Sequence, residues 1–381
     1  MKKLILFTLV LAGLLTLSLI LYSRTPAKHL EVKTRFYYPP DVLAKLHSYS
    51  TASRMSEREL TELDTFMFSV VKKKKLPPTE ASRFYASVLT AQKEAADLSY
   101  SIKGEYQGSL KPVTYEMVCM MYLDSCADMN KALNGDAYSL EISRLVTAQY
   151  KLRNIQDKQI TQKPKTLTGE QYWKGKPVTP DAGSWMLWNI QDKSKYMAPT
   201  PPVYGEEEDL KQVAAVKEAV THITPQQKKA VLYWAGGAGT ETPAGIWLGI
   251  MNDYVRKNNK MTFAEILNLR TTMSTTMADA FIVCWYNKFT YWTSRPNMRD
   301  TSIVTIIKTP PFPSYISGHS TVSAAAATVL SHYFPENKDK WMQMAEEAKN
   351  SRLWAGIHFP SDNNEGFNIG KKLASDILAS R

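Results

Sequence analysis

Cysteine is scarce in this chain. Among 381 residues there are three, Cys119, Cys126 and Cys284, with no C-x-x-C pair and no Cys/His cluster. That pattern argues against a zinc site. Cys119 and Cys126 are seven apart, which places them on one helix face, two turns apart and too far to pair. All three read as packing residues. Histidine is sparse as well, with six in all. There is no internal repeat, no basic–aromatic stripe and no RNA-binding signature, so no nucleic-acid partner is expected. Acidic side chains are in deficit: 36 against 47 basic ones leave a net charge of +11, which favours anionic partners. The run "KKKK" at 72–75 reads as a solvated helix end. Hydrophobic residues make up 44% and charged residues 22%, the balance of a globular chain.

One long uncharged run exists, from Leu4 to Tyr22, behind Lys2 and Lys3. At helical rise it spans about 28 Å, close to a bilayer core. It is longer than most signal-peptide cores, and no small-x-small cleavage site is clear. No cysteine follows closely, which argues against a lipoprotein anchor. Residues 1–23 are therefore expected to be an N-terminal membrane anchor or a signal peptide, the uncleaved anchor being favoured. The two lysines predict a cytoplasmic N-terminus and an exported body, in the periplasm or on the outer face of the cytoplasmic membrane. Membrane contact is expected only through residues 4–22.

Residues 24–40 read as a linker ending in "YYPP". Two helical regions follow, 41–205 and 206–381. Apolar or small residues at 81, 84, 85, 88, 91 and 95 mark one face of a helix over 77–103. Segments 114–133 and 137–152 look helical too. Residues 158–204 carry six prolines with Trp173, Trp185 and Trp188, an irregular wrap that buries its tryptophans. In the second region a helix over 224–236 starts with proline in its first turn. A loop at 236–245 follows. The helix over 262–289 opens with a capping box, Thr262 and Glu265. Strand signals are few, so the expected class is all-α, a helical bundle with an irregular middle segment.

The candidate chemistry lies in the last hundred residues. Lys288 ends the capped helix, and Arg295 with Pro296 follows in "KFTYWTSRP". Then comes "PSYISGHS", residues 313–320. Gly318 permits close backbone approach there, and Ser320 or Thr321 can cap the alanine-rich helix that follows. Free N–H groups at a helix N-terminus make an anion site, with His319 beside it. "SRLWAGIHFPSD" adds Arg352, His358 and Asp362. Each piece has an ordinary reading. Lys288 and Arg295 suit a surface, Arg352 suits a helix C-terminus, and His358 suits a core. Asp362 suits an N-cap, with Glu365 completing a capping box. Taken together, three cations and loop N–H groups can neutralise a tetrahedral oxyanion. One histidine can attack or coordinate its central atom while a second moves a proton. A carboxylate on the first histidine fixes its tautomer.

The pattern K-x6-R-P, P-S-x-x-S-G-H and S-R-x5-H-x3-D, from Lys288 to Asp362, resembles the signature of one superfamily. That superfamily joins type 2 phosphatidic acid phosphatases, bacterial acid phosphatases and vanadium-dependent haloperoxidases. The resemblance implies a helical bundle of the vanadium chloroperoxidase/acid phosphatase type. Trp285, three residues before Lys288, and Phe312, seven before His319, resemble the haloperoxidase-like bacterial branch and are halide-pocket candidates.

The resemblance implies roles. In a haloperoxidase, His358 is the axial ligand of vanadate. Lys288, Arg295, Ser317, Gly318 and Arg352 hold its oxygens, with His319 as acid–base and hydrogen peroxide and halide as substrates. Lys288 would also polarise the bound peroxide. In an acid phosphatase the same pocket takes a phosphate monoester or lipid phosphate and no cofactor. His358 is then the nucleophile that becomes phosphohistidine, His319 protonates the leaving oxygen and Asp362 orients His358. Neither the halide, the organic substrate nor the oligomeric state is legible.

Overall fold

The structure, a computed structural model, describes residues 34–122, 124, 126, 135–159, 167–258 and 260–381. The run 4–22, the rest of the expected leader or anchor, residues 24–33 of the linker and His29 lie outside the described residues. Among those described there is no strand, only two isolated bridges, Arg54 with Gln107 and Tyr172 with Thr293. No described helix is long and apolar enough to cross a membrane.

The helices of the first region are α1 (Pro40–Ser48), α2 (Glu57–Lys74), α3 (Pro78–Lys103), α4 (Lys111–Met121) and α5 (Ala137–Gln159). Those of the second are α6 (Glu207–Thr221), α7 (Pro225–Tyr233), α8 (Thr242–Asn258), α9 (Phe263–Tyr291), the single turn α10 (Pro296–Arg299), α11 (Gly318–Tyr333), α12 (Lys338–Trp354) and α13 (Pro360–Ala379). Local chemistry explains their ends. α3 starts with proline at its first position and stops at Gly104, whose φ of 71° only glycine adopts without cost. α9 opens on the Thr262–Glu265 capping box, with both halves formed.

α9 is the axis of the fold. It packs against α3, α8 and α11, and its side chains are buried almost continuously from Ile266 to Lys288. Small residues make this possible: its middle is rich in Thr, Ser, Ala and Met, which let neighbouring helices close in from several sides. The irregular segment wraps the same helix. Asp279 of α9 accepts from the backbone N–H groups of Trp188 (2.7 Å) and Asn189 (2.8 Å). Asn287 donates to Tyr196 O and accepts from Ala198 N. Trp173, Trp185 and Trp188 are buried beneath the wrap.

α11 is seated just as closely. Ala324 to Ala327 are fully buried, and α13 crosses its first turns at Gly366 and Gly370. A Cβ built at Gly370 would stand 2.0 Å from Thr321 O, and one at Gly366 would stand 2.7 Å from Ser317 O. Main chain therefore touches main chain at this crossing. Gly370→Ala is expected to destabilise the protein by about 3 kcal/mol, because a backbone clash has no rotamer to relax into. A thermal melt checks this, and an unchanged Tm would contradict the close crossing.

Several expectations are corrected. The helix expected over 114–133 stops at Met121, because Tyr122 takes an extended φ of −139°. Cys126 is therefore off that helix. Both thiols are free, in line with the expectation that they do not pair, and burial with the nearness of Cys126 pushes the Cys119 thiol up to about 12. Neither Ser320 nor Thr321 caps α11, which begins at Gly318 with Ser317 in the N-cap position. His319 thus sits inside the first helical turn and not before it. Asp362 is not an N-cap either. Proline at position 360 starts α13 two residues earlier, which leaves Asp362 in the third helical position.

Candidate active site

Three helix ends and two loops meet at one place. Lys288, in the last turn of α9, is fully buried. Its Nζ donates to the carbonyls of Pro313 (2.8 Å) and Ser314 (2.7 Å). Arg295, just before α10, donates from Nε to Phe312 O (3.0 Å) and from Nη1 to Ile357 O (2.7 Å). Arg352, in the last turn of α12, donates from Nε to Ser351 Oγ (2.9 Å) and from Nη2 to Val231 O (3.2 Å).

His358 precedes α13, and Asp362 lies four residues on, on the facing helical turn. The His358 Nδ1 is 2.8 Å from Asp362 Oδ2. The same carboxylate oxygen accepts from Phe359 N (3.0 Å) and from the hydroxyl of Ser314. Nδ1 is therefore the protonated nitrogen, and the Nε2 lone pair accepts from Arg295 Nη1 at 3.0 Å. Ser314 belongs to the P-S-x-x-S-G-H stretch, yet its role escaped sequence reasoning because it lies far along the chain from the carboxylate it serves. The backbone of Trp234 and Ala235 lies beside the His319 ring and favours its protonated form, and His319 Nε2 is buried with no hydrogen-bond partner. No side-chain pattern announces backbone neighbours of that kind.

Trp285 and Phe312 form the apolar wall. Their rings are 4.8 Å apart, and Lys288 Nζ stands 5.3 Å from the Phe312 ring centre and 5.9 Å from that of Trp285. Gly318, His319, Arg352, His358, Trp285 and Phe312 line one cavity of about 500 Å³. Lys288 and Arg295 stand behind it. Ser317 is buried nearby, but its hydroxyl accepts from Ser320 (3.0 Å) and it is not part of the cavity wall. The remaining described histidines, His47, His222 and His332, do not line it.

Burial dominates the electrostatics. Burial pulls the Lys288 ammonium down to about 7, against the opposing pull of Cys284 and the Asp362 carboxylate. The guanidinium of Arg295 falls to about 10 and that of Arg352 to about 9, again through burial. His319 and His358 are both held well below the usual histidine range, by burial first and by the neighbouring cations next. Both rings are therefore neutral. Burial pushes Asp362 up, against the pull of Ser314, Lys288, the Phe359 N–H and Arg295.

Buried polar atoms without a partner show what the site is shaped to receive. Trp285 Nε1, Arg295 Nη2, His319 Nε2 and Arg352 Nη1 are all buried and unbonded. Such atoms cost on the order of 1–3 kcal/mol each, more when charged. Three cations here face one carboxylate. A tetrahedral oxyanion would satisfy the donors and the excess charge together, so the residues fit vanadate or a phosphoryl group equally well. Among the described residues no cluster of three or more His, Cys, Asp or Glu side chains suits a bare metal ion.

Known proteins resemble this chain in sequence or fold. Residues 269–375 match the family model of the PAP2 superfamily. A stretch of 49 residues is 45% identical to a non-specific acid phosphatase of Providencia stuartii; it covers 13% of this chain and 20% of that enzyme's length. The fold is similar to that of a bacterial vanadium-dependent iodoperoxidase, with a TM-score of 0.72 and 21% identity, over 87% of this chain and 98% of the other. It is also similar to a bacterial vanadium-dependent chloroperoxidase in its holo form, with a TM-score of 0.61 and 12% identity, over 80% and 93%. The segment that carries the two histidines, the three cations and the carboxylate is thus a PAP2-superfamily segment, set in the all-helical fold that vanadium-dependent haloperoxidases share.

Proposed function

We propose that the protein is a vanadium-dependent haloperoxidase-like enzyme, with vanadate held at His358. The set of unbonded donors, Trp285 Nε1 among them, around a cage of excess positive charge carries the oxyanion site, and the apolar wall of Trp285 and Phe312 beside it favours the haloperoxidase reading. The extent of the fold shared with the iodoperoxidase supports it. Bound vanadate would supply a Lewis acid that activates hydrogen peroxide toward halide without a redox change of its own. The chain supplies the rest. Asp362 and Ser314 hold the His358 tautomer so that Nε2 is the ligating atom. Arg295, whose Nη1 caps that lone pair, would hold the oxyanion together with Arg352, Lys288 and the N-terminus of α11. His319 Nε2 takes up and returns a proton. Trp285 and Phe312 keep water from the halide side. An exported site, expected from Lys2, Lys3 and the run 4–22, would keep a toxic oxidant out of the cytoplasm.

A second reading is phosphate monoester hydrolysis, favoured by the identity to the acid phosphatase. His358 Nε2 would attack phosphorus as the ester P–O bond breaks, and water would then release phosphate from the phosphohistidine. His319 would have to gain a proton first, since its ring is neutral in the unliganded cage. A bound dianion supplies that push.

A paired assay separates the two. Dye bromination with peroxide, halide and added vanadate is measured beside nitrophenyl phosphate hydrolysis without vanadate. Halogenation that rises with vanadate supports the first reading. Hydrolysis that vanadate blocks, with no halogenation, rejects it.

The cage also predicts a pH dependence. Lys288 loses its proton near pH 7 in the empty site, and a bound anion favours the charged form. Affinity for an anion of fixed charge must therefore fall as pH rises above 7, by up to about tenfold per unit. Sulfate, a dianion throughout, is the probe, titrated calorimetrically from pH 6 to 9. A flat profile would remove Lys288 from the anion site.

A further inference from the structure

The cage accounts for only one end of its cavity. At about 500 Å³ the space is far larger than a tetraoxo anion, and falls in the range of about 300–1,000 Å³ usual for small-molecule sites. Beyond Arg352 and the two histidines its character changes. Pro77, Val178, Pro243, Ile307 and Pro311 add an apolar wall, drawn from four separate parts of the chain. No aspartate or glutamate lines it, and Lys308, exposed at the rim, is the one ionised lining side chain outside the cage. The wall is held in place from behind: Val178 N donates to Pro311 O at 3.1 Å, and Thr79 and Thr179 share a hydrogen bond of 2.7 Å.

An inorganic anion alone would leave this apolar surface wet. Apolar surface in water is unfavourable, and a ligand that covers it gains in proportion to the area. Proline-rich walls lose little freedom when covered, so the gain is not spent on ordering them. Lys308 draws anionic ligands to the mouth.

We propose that this cleft is an organic-substrate subsite, which takes an apolar aryl or short-alkyl group attached to the caged oxyanion or presented beside it. The proposal rests on the oxyanion reading above. It narrows the substrate class: either an organic acceptor that meets the oxidant before it escapes, or the organic half of a phosphate ester.

Phosphonates test it without turnover. Inorganic phosphate and methyl-, propyl-, hexyl- and phenylphosphonate are titrated calorimetrically into the full chain. Affinity is expected to rise roughly three- to fourfold per methylene over the first few carbons, the increment for burying a methylene. In the double variant Val178→Thr, Ile307→Thr that slope should flatten, with methylphosphonate as the internal reference. If phosphate binds but hexylphosphonate binds no better than methylphosphonate, the subsite is wrong and the oxyanion cage stands. A slope that survives the double variant also overturns the subsite. If neither phosphate nor any phosphonate binds, the cage itself is wrong and the subsite falls with it.

Discussion

His358→Ala is expected to abolish turnover in both assays, by on the order of 10³-fold or more. The reason is geometric. His358 Nε2 is the nitrogen that would ligate in one chemistry and attack in the other, and Asp362 and Ser314 act through the His358 ring. Loss of the ring also strands the Asp362 carboxylate, so a melt and a far-UV spectrum must accompany the kinetics. Sulfate binding separates the roles. Lys288, Arg295 and Arg352 remain in the variant, so sulfate should still bind, within roughly tenfold of the parent. Activity lost together with all sulfate binding would mean that the cage had collapsed. Activity retained would mean that His358 is not the reacting group.

Lys288→Ala should have the next largest effect, and on binding more than on folding. An interaction between a buried ammonium and an anion is worth about 1.5–3 kcal/mol, so sulfate affinity should fall roughly ten- to a hundredfold. Stability should respond differently. Lys288 is buried with only two carbonyls in direct contact, and burial outweighs the pull of Asp362, so in the empty protein its charge is a burden. Lys288→Met, which keeps the volume and removes the charge, should leave the Tm nearly unchanged, because relief of that burden offsets the loss of the Pro313 and Ser314 carbonyl partners. Sulfate titration and a melt on both variants read this out. Full affinity in either variant would place the ammonium outside the anion site.

Much of this was legible because the relevant signals are local. The Thr262–Glu265 box and the proline at 78 mark helix starts whatever surrounds them. The i, i+3 spacing of Trp285 and Lys288 places their side chains together on a helix, and His358 lies near enough to Asp362 in sequence for a side chain in the first turn of α13 to reach back to it. What stayed hidden depends on chain brought from elsewhere. Ser314 meets Asp362 only when the loop before α11 lies over α13. His319 is flanked by backbone at 234 and 235, and backbone has no residue type. The apolar cleft draws on Pro77, Val178 and Pro243, none of them notable in its own neighbourhood. The start of α13 was misplaced because Asp362 looked like a better cap than Phe359, but proline at 360 had already set the first turn. Cys126 escaped because the helix that should have carried it ended early.

The glycine crossing of α13 over α11 bears on the site in a less obvious way. His319 lies in the first turn of α11 and His358 just ahead of α13, and what separates those two helices is peptide backbone at Gly366 and Gly370, reinforced by the 2.8 Å bond from Ser317 N to Asp362 O. The gap that a guest must fill is therefore inherited from main-chain thickness, not negotiated among side-chain rotamers. Substitutions elsewhere on either helix reach that gap only by prising two backbones apart, so the outer faces of α11 and α13 can vary while the aperture keeps its width.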